Sequence, residues 1–163
     1  MTVVSDTTCL SALARINELH LLHALFGQIS IPEKVQEELS ALQEFGVDIS
    51  IFSHSDWITI RQATPSPLLE TLLANKRIDP GESYAIALAI EIEADWIILD
   101  DLHARKVATD LGLNITGLGG ILLQAKAAGI IPSVKGHLDL CMLKANFRLS
   151  TVVYNHLLTL AKE

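Results

Sequence analysis

The stretch Asp95-Trp96-Ile97-Ile98-Leu99-Asp100-Asp101 holds four successive apolar residues that end in two adjacent carboxylates, with Arg105 and Lys106 close behind. An apolar run without alternation fits a strand covered on both faces, as in parallel sheets. Ligand sites of open parallel sheets lie just beyond the carboxyl ends of such strands. The run therefore reads as a buried strand that delivers Asp100 and Asp101 to one edge of a sheet. Asp is also among the best helix N-caps, so for one acid taken alone the structural alternative is that Asp100 caps a helix from Leu102 onward. Further acids converging on the same edge would decide between the two.

Working outward, the same order of strand, acid and helix recurs at the start of the chain. Val3-Val4-Ser5 is a short apolar strand ending in Asp6, and Thr7 and Thr8 open a helix through Cys9, Leu10, Leu13 and Ile16. A second helix, Leu19 to Phe26, stops at Gly27, and Gln28 to Ile31 forms another strand before Pro32 begins a helix that runs to Phe45 and closes at Gly46. At about 100° per residue from Val35, Leu39, Leu42 and Ile31 fall within roughly 40°, Glu38 lies about 60° away on the buried margin, and Glu37 about 160° away, facing water. An acid on a buried margin needs a partner, or else it extends to solvent at the boundary.

Between Val47 and Ala63 the alternating segments Ile49 to Phe52 and Trp57 to Ile60 supply one edge strand or two, and Pro65 and Pro67 then introduce a helix from Leu68 to Asn75. Asp79-Pro80-Gly81-Glu82 is an explicit helix start, with Asp at the cap, Pro at the first helical position and Glu three residues after the cap. Glu82 shares a helix face with Ala85, Ile86 and Ala89, small enough to approach a sheet closely. That helix leads into the Trp96 strand, and a helix from His103 to Leu111 follows it. Asn114 to Thr116 is a fifth short strand, and Gly117-Leu118-Gly119-Gly120 precedes a helix from Ile121 to Ala128. The glycines lack the spacing of a nucleotide fingerprint and fit tight packing of helix on strand. After Ser133 only helices remain, Val134 to Leu143 and Leu149 to Ala161. The pattern is one α/β domain spanning residues 1–163.

With 163 residues, half of them apolar, and a formal charge of −7, the chain is a globular protein without a broad basic face for nucleic acid, although a local patch could serve. Cys9 and Cys141 stand alone, so a disulfide framework or a zinc site is not expected and a reducing cytoplasm is. No signal peptide or membrane span is legible. The six histidines have neither metal-ligand spacing nor a motif partner; His20 and His23 read as core-edge residues on one helix face.

Asp6, Glu38, Glu82 and Asp100 or Asp101 thus come from strand ends and flanking helices that a parallel sheet would bring to one edge. Crowded carboxylates raise one another's pKa unless a cation neutralises them. Hard divalent ions, Mg²⁺ or Mn²⁺, accept such oxygen donors, keep several waters, and can activate one of them toward a phosphodiester.

The opening Val-Val-Ser-Asp-Thr-Thr, the Ile-Pro-x-x-Val-x-x-Glu-Leu of Ile31 to Leu39, the Gly81-Glu82 helix with Ile86-Ala87-Leu88-Ala89, and Leu99-Asp100-Asp101 followed by Arg105 resemble a PIN-domain protein. The resemblance is to a prokaryotic subgroup related to VapC-type toxins, and it runs from Val3 to about Leu160. It implies a three-layer α/β/α fold with a mostly parallel sheet of four to five short strands, and metal-dependent cleavage of RNA. It also implies catalytic acids at Asp6, Glu38, Glu82, Asp100 and Asp101, with Mg²⁺ or Mn²⁺ held by the first four. Thr8, Arg105 and Lys106 would contact the substrate, with a protein antitoxin as a partner and a homodimer as the assembly. Two departures stand out: Glu82 occupies a position that is often Asp, and Leu99-Asp100-Asp101 stands where many members have Thr-x-Asp, which leaves open which of the two acids leads.

Three functions compete: a metal-dependent endoribonuclease, a degenerate relative that binds RNA or protein without cutting, and a phosphoacceptor domain. Against the third, Asp6 is not followed by an Asp-x-Asp spacing and no Lys directly follows the fifth strand.

Overall fold

The computed structural model describes residues 1–163, the side chain of Ser53 apart. The chain runs β1 (Val3–Ser5), α1 (Thr7–Arg15), α2 (His20–Phe26), β2 (Ile29–Pro32), α3 (Glu33–Ser40), α4 (Ser50–His54), β3 (Ile58–Arg61), α5 (Pro67–Ala74) and α6 (Pro80–Glu91). It continues through β4 (Trp96–Ile98), α7 (Leu102–Asp110), β5 (Ile115–Thr116), α8 (Leu118–Ala127), α9 (Val134–Lys144) and α10 (Thr151–Ala161). The five strands form one sheet in the order β3-β2-β1-β4-β5, and every pairing is parallel.

Neighbouring residues of the central strands enter opposite cores, which is what an uninterrupted apolar strand requires when both faces are covered. Val3 and Ile98 pack with α1, α2, α8, α9 and α10, whereas Val4, Ile97 and Leu99 pack with α5, α6 and α7. The result is the expected α/β/α arrangement, with Ile97, Ile98 and Leu99 fully buried. Among the described residues no helix is long and apolar enough to cross a membrane.

Four local expectations are corrected. Ile49 to Phe52 is not a strand: α4 begins at Ser50, whose amide donates to Asp48 Oδ1 at 2.9 Å, and Phe52 is buried. Alternation over four residues does not separate one helical turn from a short strand, and the Asp48 turn settles it locally. The helix expected from Pro32 to Phe45 starts one residue later, because Pro32 ends β2, and it tightens to a 3₁₀ turn from Ala41 to Phe45 before Gly46 turns left-handed at φ 75°. The helix expected at Ile121 begins at Leu118, so Gly119 and Gly120 lie inside it. A Cβ on Gly119 would meet Leu157 of α10 at 2.6 Å, and one on Gly120 would meet Thr116 Oγ1 at 2.5 Å. Those glycines serve close packing, as their spacing suggests. His20 and His23 lie further out than expected: both are exposed, with the His23 ring 5.3 Å from that of Trp57.

Candidate active site

The strand order reverses its direction of growth between β1 and β4: from β1 the chain builds outward through β2 and β3, then returns to place β4 on the other side. Helix α1, which follows β1, covers one face and α7, which follows β4, covers the other. A crevice opens at such a switch point beyond the strand ends. Val3, Val4 and Ser5 pair with Trp96, Ile97 and Ile98, and the Asp6 amide donates to Ile98 O at 3.2 Å, so Asp6 and Asp100 emerge side by side at that crevice.

The two acids are held without being used up. Asp6 is 1% exposed, begins α1, and makes no side-chain capping bond. Asp100 accepts from the Leu118 amide through Oδ1 at 2.9 Å, and its other oxygen has no partner. Among the described residues, the buried side-chain oxygens that lack a partner are both carboxylate oxygens of Asp6 and Oδ2 of Asp100. The capping role that Asp100 might have taken falls to Asp101, whose Oδ1 accepts from the amides of His103 at 2.8 Å and Ala104 at 2.9 Å. Gly117 allows α8 to approach, since a Cβ there would lie 2.6 Å from Asp100 Oδ1.

The two glutamates reach the same neighbourhood from the flanking helices. Glu82 is buried in the expected capping box: its carboxylate accepts from the Asp79 amide and its own amide donates to Asp79 Oδ1, each at 2.8 Å. Glu38 accepts from the Thr7 hydroxyl, and a Cβ on Gly81 would collide with its carboxylate, so α3, α1 and the start of α6 meet there. Glu37 is exposed and pairs with Lys34, as its angle on the helix requires.

Burial dominates the electrostatics. It pushes Asp6 well above the usual carboxylate range, and the charges of Asp100 and Glu82 push further; the Cys9 amide pulls weakly the other way without reaching hydrogen-bond geometry. Glu82 rises to about 7 through burial, assisted by the charges of Asp79, Asp101 and Glu38 against the pull of the Asp79 amide. Asp100 rises to about 6 through burial, held down by the Leu118 amide and by Arg105. A group of acids this reluctant to ionise calls for a proton or a cation.

The residues fit a hard divalent ion. Their free donors are carboxylate oxygens, and Mg²⁺ takes one or two carboxylates and retains water. Among the described residues no three His, Cys, Asp or Glu side chains stand close enough to enclose an ion by themselves. Water would complete the shell. A cavity of about 640 Å³ adjoins the acids; Thr7, Thr8, Ser11, Glu82, Asp100 and Asp101 are among its lining residues, and Asp6 and Glu38 are not.

A family model described as PIN domain matches residues 2–163 of this sequence. The chain belongs to the PIN-domain family. Members of that family are generally nucleases. Among solved structures the chain is similar to a PilT N-terminus domain protein from the archaeon Sulfolobus solfataricus P2. That similarity has 21% identity over 77% of this chain and 93% of the other, with a TM-score of 0.51, and supports the fold. No curated protein matches the chain.

The expected substrate-contacting residues of this PIN domain are placed unequally. Thr8 is exposed on the cavity wall. Arg105 is half-buried and donates through Nη1 to Leu99 O at 2.7 Å, so part of its guanidinium braces the Asp100 backbone. Lys106 is exposed, about 200° around α7 from both buried Ala104 and Ala108, and faces away from the sheet. Two wall residues escape sequence reasoning. Thr7 reads as one of two interchangeable helix-opening hydroxyls, and only the packing of α3 on α1 singles it out as the partner of Glu38. Arg148 sits between two helices, in a segment whose sequence carries no signal of a site more than 40 residues away.

Proposed function

We propose that this PIN domain is a Mg²⁺- or Mn²⁺-dependent endoribonuclease, with Asp6 and Asp100 as the innermost metal-binding acids and Glu82 and Glu38 beside them. The observation that carries this reading is the set of partnerless buried oxygens, Asp6 Oδ1, Asp6 Oδ2 and Asp100 Oδ2, with Asp100 lining the open cavity and Asp6 buried directly before the cavity-lining Thr7. A fold that leaves three carboxylate oxygens buried and without a protein partner carries a cost that a cation relieves. When bound, the ion would neutralise these acids, polarise the phosphodiester and lower the pKa of a water at the phosphorus.

The chain's own residues supply the rest. The Leu118 amide orients Asp100, Arg105 braces Leu99 beside it, and the Thr7 hydroxyl fixes Glu38. Asp101, with Oδ1 committed to α7, keeps a second oxygen for the cavity. Glu82, near neutrality in its pKa, can hold or release a proton there. The finer reading is a cytoplasmic toxin restrained by a protein antitoxin and assembled as a homodimer. Exposed apolar side chains on α9 and α10, Leu143 and Val152 among them, are the surface available for those contacts.

The test is cleavage of single-stranded RNA by the purified chain with Mg²⁺, with Mn²⁺ and with chelator. The expected result is cutting that needs the metal and disappears in Asp6→Asn. Absence of cutting by the wild type, or undiminished cutting by Asp6→Asn, would replace this reading with that of an RNA- or protein-binding module.

A further inference from the structure

A second cavity, of about 550 Å³, adjoins the first and shares Asp100, Leu102, Arg148 and Leu149 with it. Its chemistry is opposite in sign. Glu82 and Asp101 line the first cavity and are absent from the second, where Arg105 takes their place beside Arg148. The starts of α7, α8 and α10 all open onto it, through Leu102, Gly117 and Ser150. Helix starts carry partial positive charge, although side chains already accept from the Leu118, His103, Ala104 and Val153 amides. The two guanidiniums outnumber the single Asp100 carboxylate on this wall, so the recess is locally electropositive in a chain of net charge −7.

Two residues on the shared wall have no structural employment. Among the described residues, no carboxylate or carbonyl engages the guanidinium of exposed Arg148, although acids line the cavity beside it. Leu102 is 76% exposed, a large apolar side chain left in water between two charged recesses. We propose that the second cavity seats the nucleotide adjoining the scissile phosphodiester, so that an RNA strand passes from the acidic cavity across Leu102 and Arg148 into the basic one. Arg148 then binds the phosphate at the crossing, Leu102 offers an apolar surface to a base, and Arg105 faces the flanking phosphate with the donors that Leu99 leaves unused. This assignment rests on the endoribonuclease reading and adds a path for the substrate to it.

The test uses the full chain carrying Asp6→Asn, so that RNA survives, and a fluorescein-labelled single-stranded RNA oligonucleotide of mixed sequence titrated by anisotropy at several salt concentrations. Cleavage by the otherwise wild-type chain is measured alongside. Adding Arg148→Ala should weaken binding roughly tenfold, the scale of one charge-assisted hydrogen bond. It should also make the salt slope shallower by about 0.7, one single-strand phosphate contact. Arg148→Lys should recover the slope and only part of the affinity. Val153→Trp, on a half-exposed position of α10 that lines only the second cavity, should fill it and weaken binding, and in the chain that retains Asp6 it should leave the Mn²⁺-induced rise in melting temperature unchanged. If the wild type cuts RNA but Arg148→Ala and Val153→Trp bind it as the parent does, the path is wrong and the nuclease reading stands. If the wild type does not cut but both variants lose RNA affinity, the groove is right and the nuclease reading is wrong. Failure of the parent to bind the oligonucleotide at all overturns the proposal.

Discussion

Two helices of this chain start on an aspartate in almost the same backbone conformation, φ −82° and ψ −175° at Asp6, φ −83° and ψ 169° at Asp79. Asp79 accepts from the Glu82 amide at 2.8 Å and closes a capping box; Asp6, at the head of α1, accepts nothing and is buried. Backbone geometry is therefore not what denies Asp6 its cap. Asp79 heads a helix that arrives from a surface loop, where the carboxylate has only its own helix to serve. Asp6 ends a central strand at the point where the strand order reverses, alongside Asp100. The same contrast separates the neighbours Asp100 and Asp101: one caps α7, and the other keeps an oxygen free at the crevice. An acid at a helix start is structural when its oxygens meet amides, and a candidate ligand when they are buried and do not.

The largest effect expected from this contrast is on chemistry. Asp6→Asn should lower metal-dependent RNA cleavage by roughly three orders of magnitude or more, several kcal/mol of lost metal-ion stabilisation. Asp79→Ala should change it little, as followed by initial rates on one RNA substrate. Comparable losses in both variants would erase the distinction between the two helix starts.

Stability should separate them next. Mn²⁺ at about 100 times its dissociation constant should stabilise the wild type by roughly 2.7 kcal/mol in thermal or denaturant unfolding. Asp6→Asn should forfeit that gain, and Asp79→Ala should keep it. A melting temperature that ignores Mn²⁺ across a wide titration contradicts a site formed in the folded chain.

The pH dependence follows from the raised acids, and its sign is opposite to that of a salt-bridged carboxylate. Glu82 rises from an ordinary 4.5 to about 7 and Asp100 from 3.8 to about 6, so in those windows the folded chain binds more protons than the unfolded one. Stability of the metal-free protein therefore falls as pH rises from about 4 to about 7. Saturating Mn²⁺ should flatten that fall, because the ion takes the place of the protons, and its affinity should climb over the same range. Denaturant unfolding at stepped pH, with chelator and with Mn²⁺, measures both; stability that instead rises through this window without metal would refute the assigned shifts.

The smallest effect is the cap itself. Asp79→Ala should cost about 1 kcal/mol, the usual scale for a lost N-cap, with the Mn²⁺ response intact. A negligible loss would mean that the Asp79 box contributes less than its geometry suggests.

Much of the site was legible because the relevant signals are local. Trp96 to Leu99 reads as a strand from four apolar residues in a row, and Val3 to Ser5 repeats the pattern. The 100° spacing along α3 separates Glu38 from Glu37 without reference to any other element. The choice between Asp100 and Asp101 was not legible, since both fit a cap. The structure gives the cap to Asp101, with α7 starting at Leu102, and engages one oxygen of Asp100 through the Leu118 amide, 18 residues away. Ile49 to Phe52 misled because a four-residue alternation is shorter than the difference between the two periods. The glycines at 119 and 120 hid a helix start because their reason is the Leu157 and Thr116 side chains packed against them. Arg148 had no local signal at all; its place on the cavity wall it shares with Asp100 comes from the return of the chain between α9 and α10.

The central claim is that the partnerless oxygens of Asp6 and Asp100 hold a divalent ion. Electron paramagnetic resonance of free Mn²⁺ during titration with metal-free protein measures this directly, without RNA and without turnover. The wild type and Asp79→Ala should each remove the free-ion signal through one class of site, and Asp6→Asn and Asp100→Asn should leave most of the signal in solution. A wild type that leaves Mn²⁺ free, or an Asp6→Asn chain that binds it as tightly as the wild type, would contradict the account.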